Sequence, residues 1–404
     1  MKVLIALASS SGQLSGVQRH AINLARCLLT REEVTQVHLV VAPWQLEFVL
    51  GLVSDVALGP EPRLQLHAAS IANSALSRNF WFYAQLPKLA VQLEADVVHL
   101  AYPVPVAKSE FHCPTVVTLH DLYPYDIPEN FGFPKVFVNR AVLRQCLRAV
   151  DAIACVSQNT YVRLDKLEPQ LARKKATVIY NSVEALPLCT HIQNPLPKPS
   201  GTPFLLCVAQ HRRNKNILLA LRVFKRLLQT NPQSSRITPQ HMLIVGIPGP
   251  ETLTIEGFIA REQLVDRVTM LNGISDEQLQ WCYSNCSLLL TPSTLEGFGL
   301  PVAEALLAGC HVVCSDIPVF RELGGDHCRY VPLGPHAEEA FADAVGAVLD
   351  NNRPMPVAMP QLSASVIADH YLRLYRSLLP AAAATIDVAH SSPFITGEER
   401  QHSS

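Results

Sequence analysis

Short apolar runs of strand length recur along the chain, separated by stretches with helical spacing. In the first half, "KVLIALA" (2–8), "VHLVVA" (37–42), "DVVHL" (96–100), "TVVTLHD" (115–121), "AIACVS" (152–157) and "KATVIYNSV" (175–183) read as buried strands. The stretch "SGVQRHAINLARCLL" places Val17, Ile22, Leu24, Leu28 and Leu29 at helical intervals, and residues 135–149 form another helical stretch. A segment with five prolines, 184–203, then breaks the periodicity and reads as a linker. A second series follows. Its strands are "FLLCVAQ" (204–210), "HMLIVG" (241–246), "VTMLNG" (268–273), "SLLLTPS" (287–293) and "HVVCSD" (311–316), and its helices are predicted at 216–229, 260–266, 276–284, 301–308 and 336–349. A late amphipathic helix is expected over 363–379, and the Ala-, Ser- and His-rich tail 381–404 is expected to be disordered.

Strands that alternate with helices imply parallel sheets covered on both faces. Two such series joined by a hinge imply an α/β chain with two Rossmann-like, doubly wound domains facing a cleft. The division is residues 1–183, a linker 184–203, a second domain 204–355, and a C-terminal helix within 356–380 that returns to the first domain. Ligands of such sheets bind beyond the carboxyl ends of the strands, so strand-end residues carry the functional reading.

The totals narrow the class. The chain has 404 residues, 49% of them apolar and 17% charged, with a formal net charge of −1. That balance fits a soluble globular protein and disfavours a nucleic-acid binder. The 135–175 region is locally basic (Lys135, Arg140, Arg144, Arg148, Arg163, Lys166, Arg173, Lys174 and Lys175). Such a face suits an anionic membrane or acceptor, and equally a solvated helix surface. The cysteines, 11 in all, sit in apolar contexts without framework spacing, which favours reduced thiols and a cytoplasmic setting, with peripheral membrane contact at the inner face as the furthest extension. The pairs Cys282/Cys286 and Cys310/Cys314 lack the partners of a zinc set. The apolar core Val3–Ala8 is too short for a secretory leader and reads as the first strand. No apolar run is long enough to span a bilayer.

Several strand ends carry candidate chemistry. In "TPSTLEGFGLPVAEALLAG" (291–309), Pro301 suits a first helical position and Gly309 the position past a helix end. The loop Gly297–Leu300 then aims backbone N–H groups above the strand, an arrangement that binds phosphate. Glu296 stands before that loop. Glu304 is expected in the first helical turn, where the helix dipole stabilises a carboxylate whatever its function. Two carboxylates around an anion-binding loop fit a ligand with phosphates in the middle and hydroxyls at both ends, the shape of a sugar nucleotide. Arg212, Arg213 and Lys215 occupy a strand-to-helix turn, either neutralising a diphosphate or standing in solvent. "SSSGQLSGVQRH" (9–20) is a Ser/Gly turn without the spacing of a dinucleotide or P-loop fingerprint. His120 ends a strand and is either a cleft residue or a structural one.

Taken together, these stretches resemble family 4 glycosyltransferases, retaining enzymes of the GT-B fold. The resemblance rests on Glu296-Gly-Phe-Gly-Leu-Pro-Val-Ala-Glu304, Ile274-Ser275-Asp276-Glu277-Gln278-Leu279, "SGVQRHAINLA", "TLHD", "VSQNT" (156–160), "VIYNSV" (178–183) and Lys215-Asn216. It implies that Glu304 holds the donor ribose and Glu296 the hydroxyls of the transferred sugar. Backbone groups of Gly297, Phe298, Gly299 and Leu300 would meet the diphosphate or sugar. Lys215 and an arginine would stabilise the leaving diphosphate. Ser15 and Gly16 would let the first helix approach the donor phosphate, His120 would meet the sugar or orient the attack, and Ile274 and Ser275 would lie along the nucleobase.

The sequence departs from the family pattern twice. Ser15-Gly16 stands where Gly-Gly is frequent, and Gln210 stands where an arginine is frequent, which leaves that role to Arg212 or Arg213. The implied reaction transfers a hexose, of mannose or glucose type, from a UDP- or GDP-sugar to a saccharide or lipid-linked acceptor. It retains anomeric configuration by front-face attack, with the leaving phosphate accepting the proton, and needs neither cofactor nor metal. The alternatives are a nucleotide-sugar epimerase or phosphorylase of the same fold, or a non-catalytic sugar-nucleotide binder. A nicotinamide oxidoreductase lacks its glycine fingerprint here.

Overall fold

In the computed structural model, residues 1–404 are described except 11, 13–14, 55–60, 129–131, 185–194, 196–202, 230–238 and 381–404. The proline-rich linker lies mostly outside the described residues, and the tail 381–404 wholly so.

Two parallel sheets form the core. The first comprises β1 (Lys2–Ala6), β2 (Gln36–Val41), β3 (Leu64–Ala68), β4 (Val97–Leu100), β5 (Thr115–Leu119), β6 (Ala152–Cys155) and β7 (Ala176–Val178), in the order β3-β2-β1-β4-β5-β6-β7. The second comprises β8 (Phe204–Val208), β9 (His241–Val245), β10 (Val268–Leu271), β11 (Leu288–Thr291), β12 (Val312–Ser315) and β13 (Arg329–Val331), in the order β10-β9-β8-β11-β12-β13. Both orders reverse direction once, at β1/β4 and at β8/β11. A crevice opens beyond the strand ends at each such switch point. The strands are buried nearly throughout, as a sheet covered on both faces requires.

Two strands lack the sequence signal and appear only in the fold. β3, "LQLHA", is half-exposed at a sheet edge, and β13 has three residues with an exposed Arg329. The helix expected at 260–266 instead runs Thr252–Arg261. Gln263 adopts a left-handed conformation, φ 56°, which ends the helix before β10.

The chain crosses between domains at one edge. The Val183 N–H donates to the Leu362 carbonyl at 3.0 Å, so the outgoing and returning strands of chain lie side by side. The helix Ala364–Leu378 then packs on the first helix, Gly16–Leu29, with Ile367, Tyr371, Leu372 and Tyr375 in the first domain's core. Ion pairs Arg31–Asp369 and Arg376–Glu33 fasten its surface.

Much of the basic face is engaged by acids and carbonyls of its own domain. Arg144 and Arg148 bind Glu168, Arg163 binds Asp126, Arg173 faces Asp165, Arg140 donates to the Pro124 carbonyl, and Lys175 donates to the carbonyls of Arg148 and Val150. Nine of the described cysteines are buried and Cys328 partly so. Among the described residues no cluster of His, Cys, Asp or Glu could hold a metal ion, and no helix is long and apolar enough to cross a membrane.

A polar network runs through the first domain beneath the cleft. His99 Nε2 lies 2.8 Å and His20 Nε2 3.1 Å from Thr118 Oγ1, and Tyr375 OH lies 2.8 Å from His99 Nδ1. One assignment satisfies the chain: Tyr375 donates to His99, His99 donates to Thr118, and Thr118 donates to His20. Burial holds His99 down to about 3, and it holds His20 well below 6.5. Both are therefore neutral when folded. The unfolded chain takes up their protons below 6.5, so stability falls as pH falls from there towards the folded values. His99 is expected to remove about 2 kcal/mol between about pH 8 and pH 5, and His20 to add to that loss. Urea unfolding across that range checks this; stability that rises on acidification would contradict it.

Candidate functional site

Each candidate sits where a strand end meets a switch point. β8 leads into a tight turn, Arg213–Lys215, closed by Asn216 in the left-handed region at φ 53°. β11 leads into the glycine loop and the helix Leu300–Leu307, with Pro301 in its first turn and Gly299 at its N-cap, φ 98°. Gly309 follows that helix at φ 61°. Glu304 is the fifth residue of the helix, not a first-turn residue. Its place is therefore fixed by what it faces rather than by the helix end.

The loop brings charge together. Lys215 Nζ lies 2.6 Å from both oxygens of Glu296, a pair with side-chain exposures of only 19% and 9%. Asn214 Nδ2 donates to the Leu295 carbonyl and to the Tyr123 hydroxyl, tying the turn to the loop and to the first domain. Across the cleft, the His120 Nε2–H donates to the Ala101 carbonyl at 2.9 Å, which fixes the tautomer and leaves Nδ1 as an acceptor. Burial lowers His120 to about 4, so it is neutral near pH 7. Its ring meets that of His20 edge-on, with centroids 4.9 Å apart. Gly297 lies so close to the His120 carbonyl oxygen that a Cβ there would be 2.0 Å away.

A second group lines a cavity of about 140 Å³ between the first helix and the helices Asp276–Asn285 and Leu300–Leu307. Glu304 Oε2 accepts from the Tyr283 hydroxyl at 2.7 Å. Arg19 reaches across from the first domain to Asp276 at 2.6 Å. Burial raises Glu304, while the Arg19 charge and the Tyr283 hydrogen bond pull it back. Leu300 lines the same cavity.

The remaining candidates separate. Ser15 caps the first helix, its N–H donating to Gln18 Oε1 at 2.5 Å, and Gly16 opens the helix with open space where a Cβ would stand. Ser275 Oγ is engaged in capping its own helix through the Gln278 N–H, and Ile274 packs partly into the second domain's core. Arg212 and Arg213 are both exposed. The Arg212 charge acts on buried Asp121 and Tyr123.

Sequence reading did not single out Arg19, Asp121, Tyr283 or the pair Ser157 and Thr160. Asp121 follows His120 directly and lies within the fields of Arg212, Arg163 and Lys215, although burial dominates and raises it. Its place beside a strand-end histidine was the available signal. Tyr283 lies on another helix and had none.

The sequence model described as "Glycosyltransferase Family 4" matches residues 14–185, and that of "Glycosyl transferases group 1" matches residues 190–361. The O-antigen chain mannosyltransferase RfbU of Salmonella typhimurium is 27% identical over 229 residues, 57% of this chain and 59% of that protein. The O-antigen chain mannosyltransferase B of Escherichia coli is 26% identical over 241 residues, again 59% of its length. The chain thus matches less than two-thirds of these relatives. The structure of WaaG, a glycosyltransferase involved in lipopolysaccharide biosynthesis, superposes with a TM-score of 0.62 at 17% identity, over 93% of this chain and 97% of that one. A sucrose-phosphate synthase from Thermosynechococcus elongatus superposes with a TM-score of 0.64 at 16% identity, over 95% and 96%.

The close approach at Gly297 gives a direct test of the site's geometry. Gly297→Ala is expected to lower stability by about 1–3 kcal/mol in denaturant unfolding, or to force the domains apart, read as an increased radius of gyration in solution scattering. No change in either would contradict the contact. The paired parallel sheets with matching switch points and the two family matches along the chain identify it as a member of the family 4 glycosyltransferases, with the GT-B fold.

Proposed function

We propose that the chain transfers a hexose from a nucleotide diphosphate sugar to a saccharide or lipid-linked acceptor, in the assembly of a cell-surface polysaccharide. The observation that carries this reading is the Lys215–Glu296 pair at the base of a glycine loop that opens a helix. A diphosphate at that helix tip would meet backbone N–H groups and the positive end of the dipole. It would also compete with Glu296 for the Lys215 ammonium. Lys215 would then stabilise the charge that develops on the β-phosphate as its bond to the anomeric carbon breaks. Glu296, released from the lysine, would accept from sugar hydroxyls. Glu304, held by Tyr283, would accept from the ribose hydroxyls in the adjoining cavity.

Arg212 is the better substitute for the arginine missing at Gln210, because its field already reaches Asp121 and Tyr123 across the cleft. His120 Nδ1 supplies a neutral acceptor on the opposite wall. Retention by front-face attack fits this arrangement. The leaving phosphate oxygen takes the proton from the acceptor hydroxyl on the face where the new bond forms.

The names of the relatives favour mannose, and several structural neighbours are described in complexes with UDP. The donor is thus a GDP- or UDP-sugar, and a panel of both in a thermal-shift assay separates them. A membrane-borne acceptor would approach the first domain near Lys135, where Phe133, Phe137 and Val138 are exposed.

With the donor identified, Glu304→Ala is expected to weaken nucleotide-sugar binding. Lys215→Ala is expected to reduce turnover by the equivalent of about 2–4 kcal/mol. Wild-type turnover in both variants would refute the site. Turnover that needs inorganic phosphate and yields a sugar phosphate, with no second sugar as acceptor, would favour the phosphorylase alternative.

A further inference from the structure

The segment "VSQNT" sits at the end of β6, in the first domain, and opens the helix Gln158–Leu167. Ser157 Oγ accepts from the Thr160 N–H at 3.0 Å, an ordinary N-cap. That leaves both hydroxyl protons available. Ser157 Oγ donates to the Gly297 carbonyl at 2.7 Å, and Thr160 Oγ1, 3.0 Å from Ser157 Oγ and 3.5 Å from the His120 carbonyl, makes its shorter carbonyl contact to the same Gly297 oxygen at 3.2 Å. Both side chains are 1% exposed. A carbonyl oxygen offers two lone pairs, and here two hydroxyls from the other domain take them.

A trans peptide is planar, with its C=O and N–H pointing in opposite directions. Holding the Gly297 carbonyl into the first domain therefore aims the Phe298 N–H the other way. Phe298 is itself held, its ring 6.0 Å from that of Tyr180 in the first domain. The register is fastened a second time. Glu322, on the second domain's helix Pro318–Gly324, accepts from the N–H groups of Gln158 at 2.6 Å and Asn159 at 3.0 Å. The first turn of the 158–167 helix is thus gripped by one domain while it grips the glycine loop of that same domain.

We propose that Ser157 and Thr160 are positioning residues that set the Gly297–Phe298 peptide plane from across the cleft, so that the donor loop reaches its working geometry only when the domains close. This rests on the glycosyltransferase reading for its activity readout, and on the contacts alone for its structural one. Each hydroxyl acts through a carbonyl and touches no substrate.

The test uses the full chain and the double variant Ser157→Ala/Thr160→Val, which removes both hydroxyls with little change of shape. UDP and GDP affinities are measured by calorimetry, and donor cleavage by release of the nucleoside diphosphate from UDP-glucose and GDP-mannose. The expected result is a kcat about ten- to thirtyfold lower, the equivalent of two lost hydrogen bonds. UDP and GDP affinity and the donor KM should weaken by a smaller factor than kcat, because the ribose and base contacts belong to other residues and only the phosphate contact at the Phe298 N–H is disturbed. The exchange Ser157→Thr/Thr160→Ser, which keeps both hydroxyls, should restore most of the rate. Glu322→Gln should shift kcat in the same direction by a smaller factor. Wild-type kcat in the double variant overturns the proposal. So does a parallel loss of affinity and thermal stability that the hydroxyl-keeping exchange fails to restore.

Should the wild type cleave neither donor, the transferase reading fails for those sugars and solution scattering decides the positioning claim. Compaction with UDP or GDP in the wild type but not in the double variant supports it, and equal behaviour overturns it.

Discussion

A glycine backbone laid against the carbonyl oxygen of His120 is the contact on which the cleft depends. With any side chain at Gly297 the two domains would stand further apart, since the obstructing atoms are backbone on the facing side. From that approach follow the hydroxyls of Ser157 and Thr160 on the Gly297 carbonyl, the facing of Tyr180 and Phe298, and the reach of Asn214 to Tyr123. It is a steric close approach of two backbones, and it sits at the mouth of both parallel sheets.

Charge is arranged around it with little surplus. Lys215 and Glu296 neutralise each other in a poorly hydrated place, where an ion pair gives little net stability but an unpaired charge is strongly unfavourable. Such a pair resists losing either member and readily exchanges a partner for another of the same sign. Under the proposed function, an arriving diphosphate would be that other partner. The histidines of the first domain's wall are neutral by contrast, since burial keeps His20, His99 and His120 uncharged, and Arg19 of that domain is paired with Asp276. Around the glycine loop the second domain therefore supplies Lys215, Arg212 and the tip of the 300–307 helix as positive groups.

Much of this was legible in the chain. Alternating apolar runs and helical stretches indicated two parallel sheets, and the proline-rich break separated them. Two of the four edge strands, β3 and β13, were not legible, because they are partly exposed and carry no continuous apolar run. The helix Thr252–Arg261 was misplaced because "REQLVDR" offers apolar spacing after the true helix end. At the site, Glu296, Lys215 and the glycine loop could be read because each adjoins a strand end. Contacts between domains could not. Arg19 with Asp276 and Ser157 with Gly297 join residues far apart in sequence, and only the packing of one domain on the other brings them together, while Tyr283 meets Glu304 by the packing of two helices within the second domain. The basic 135–175 face shows the opposite failure. Its cations cluster in sequence, yet most are engaged by acids and carbonyls of their own domain.

The central claim is that this cleft receives a diphosphate at the tip of the 300–307 helix, with Lys215 moving from Glu296 to the phosphates. The most direct measurement is a crystal structure of the full chain with a bound UDP- or GDP-sugar. The account expects phosphate oxygens within hydrogen-bonding distance of Lys215 Nζ and of the N–H groups at Phe298 to Leu300, with the ribose on Glu304. A nucleotide lodged away from the glycine loop, or a Lys215–Glu296 pair left intact beside bound diphosphate, would contradict it.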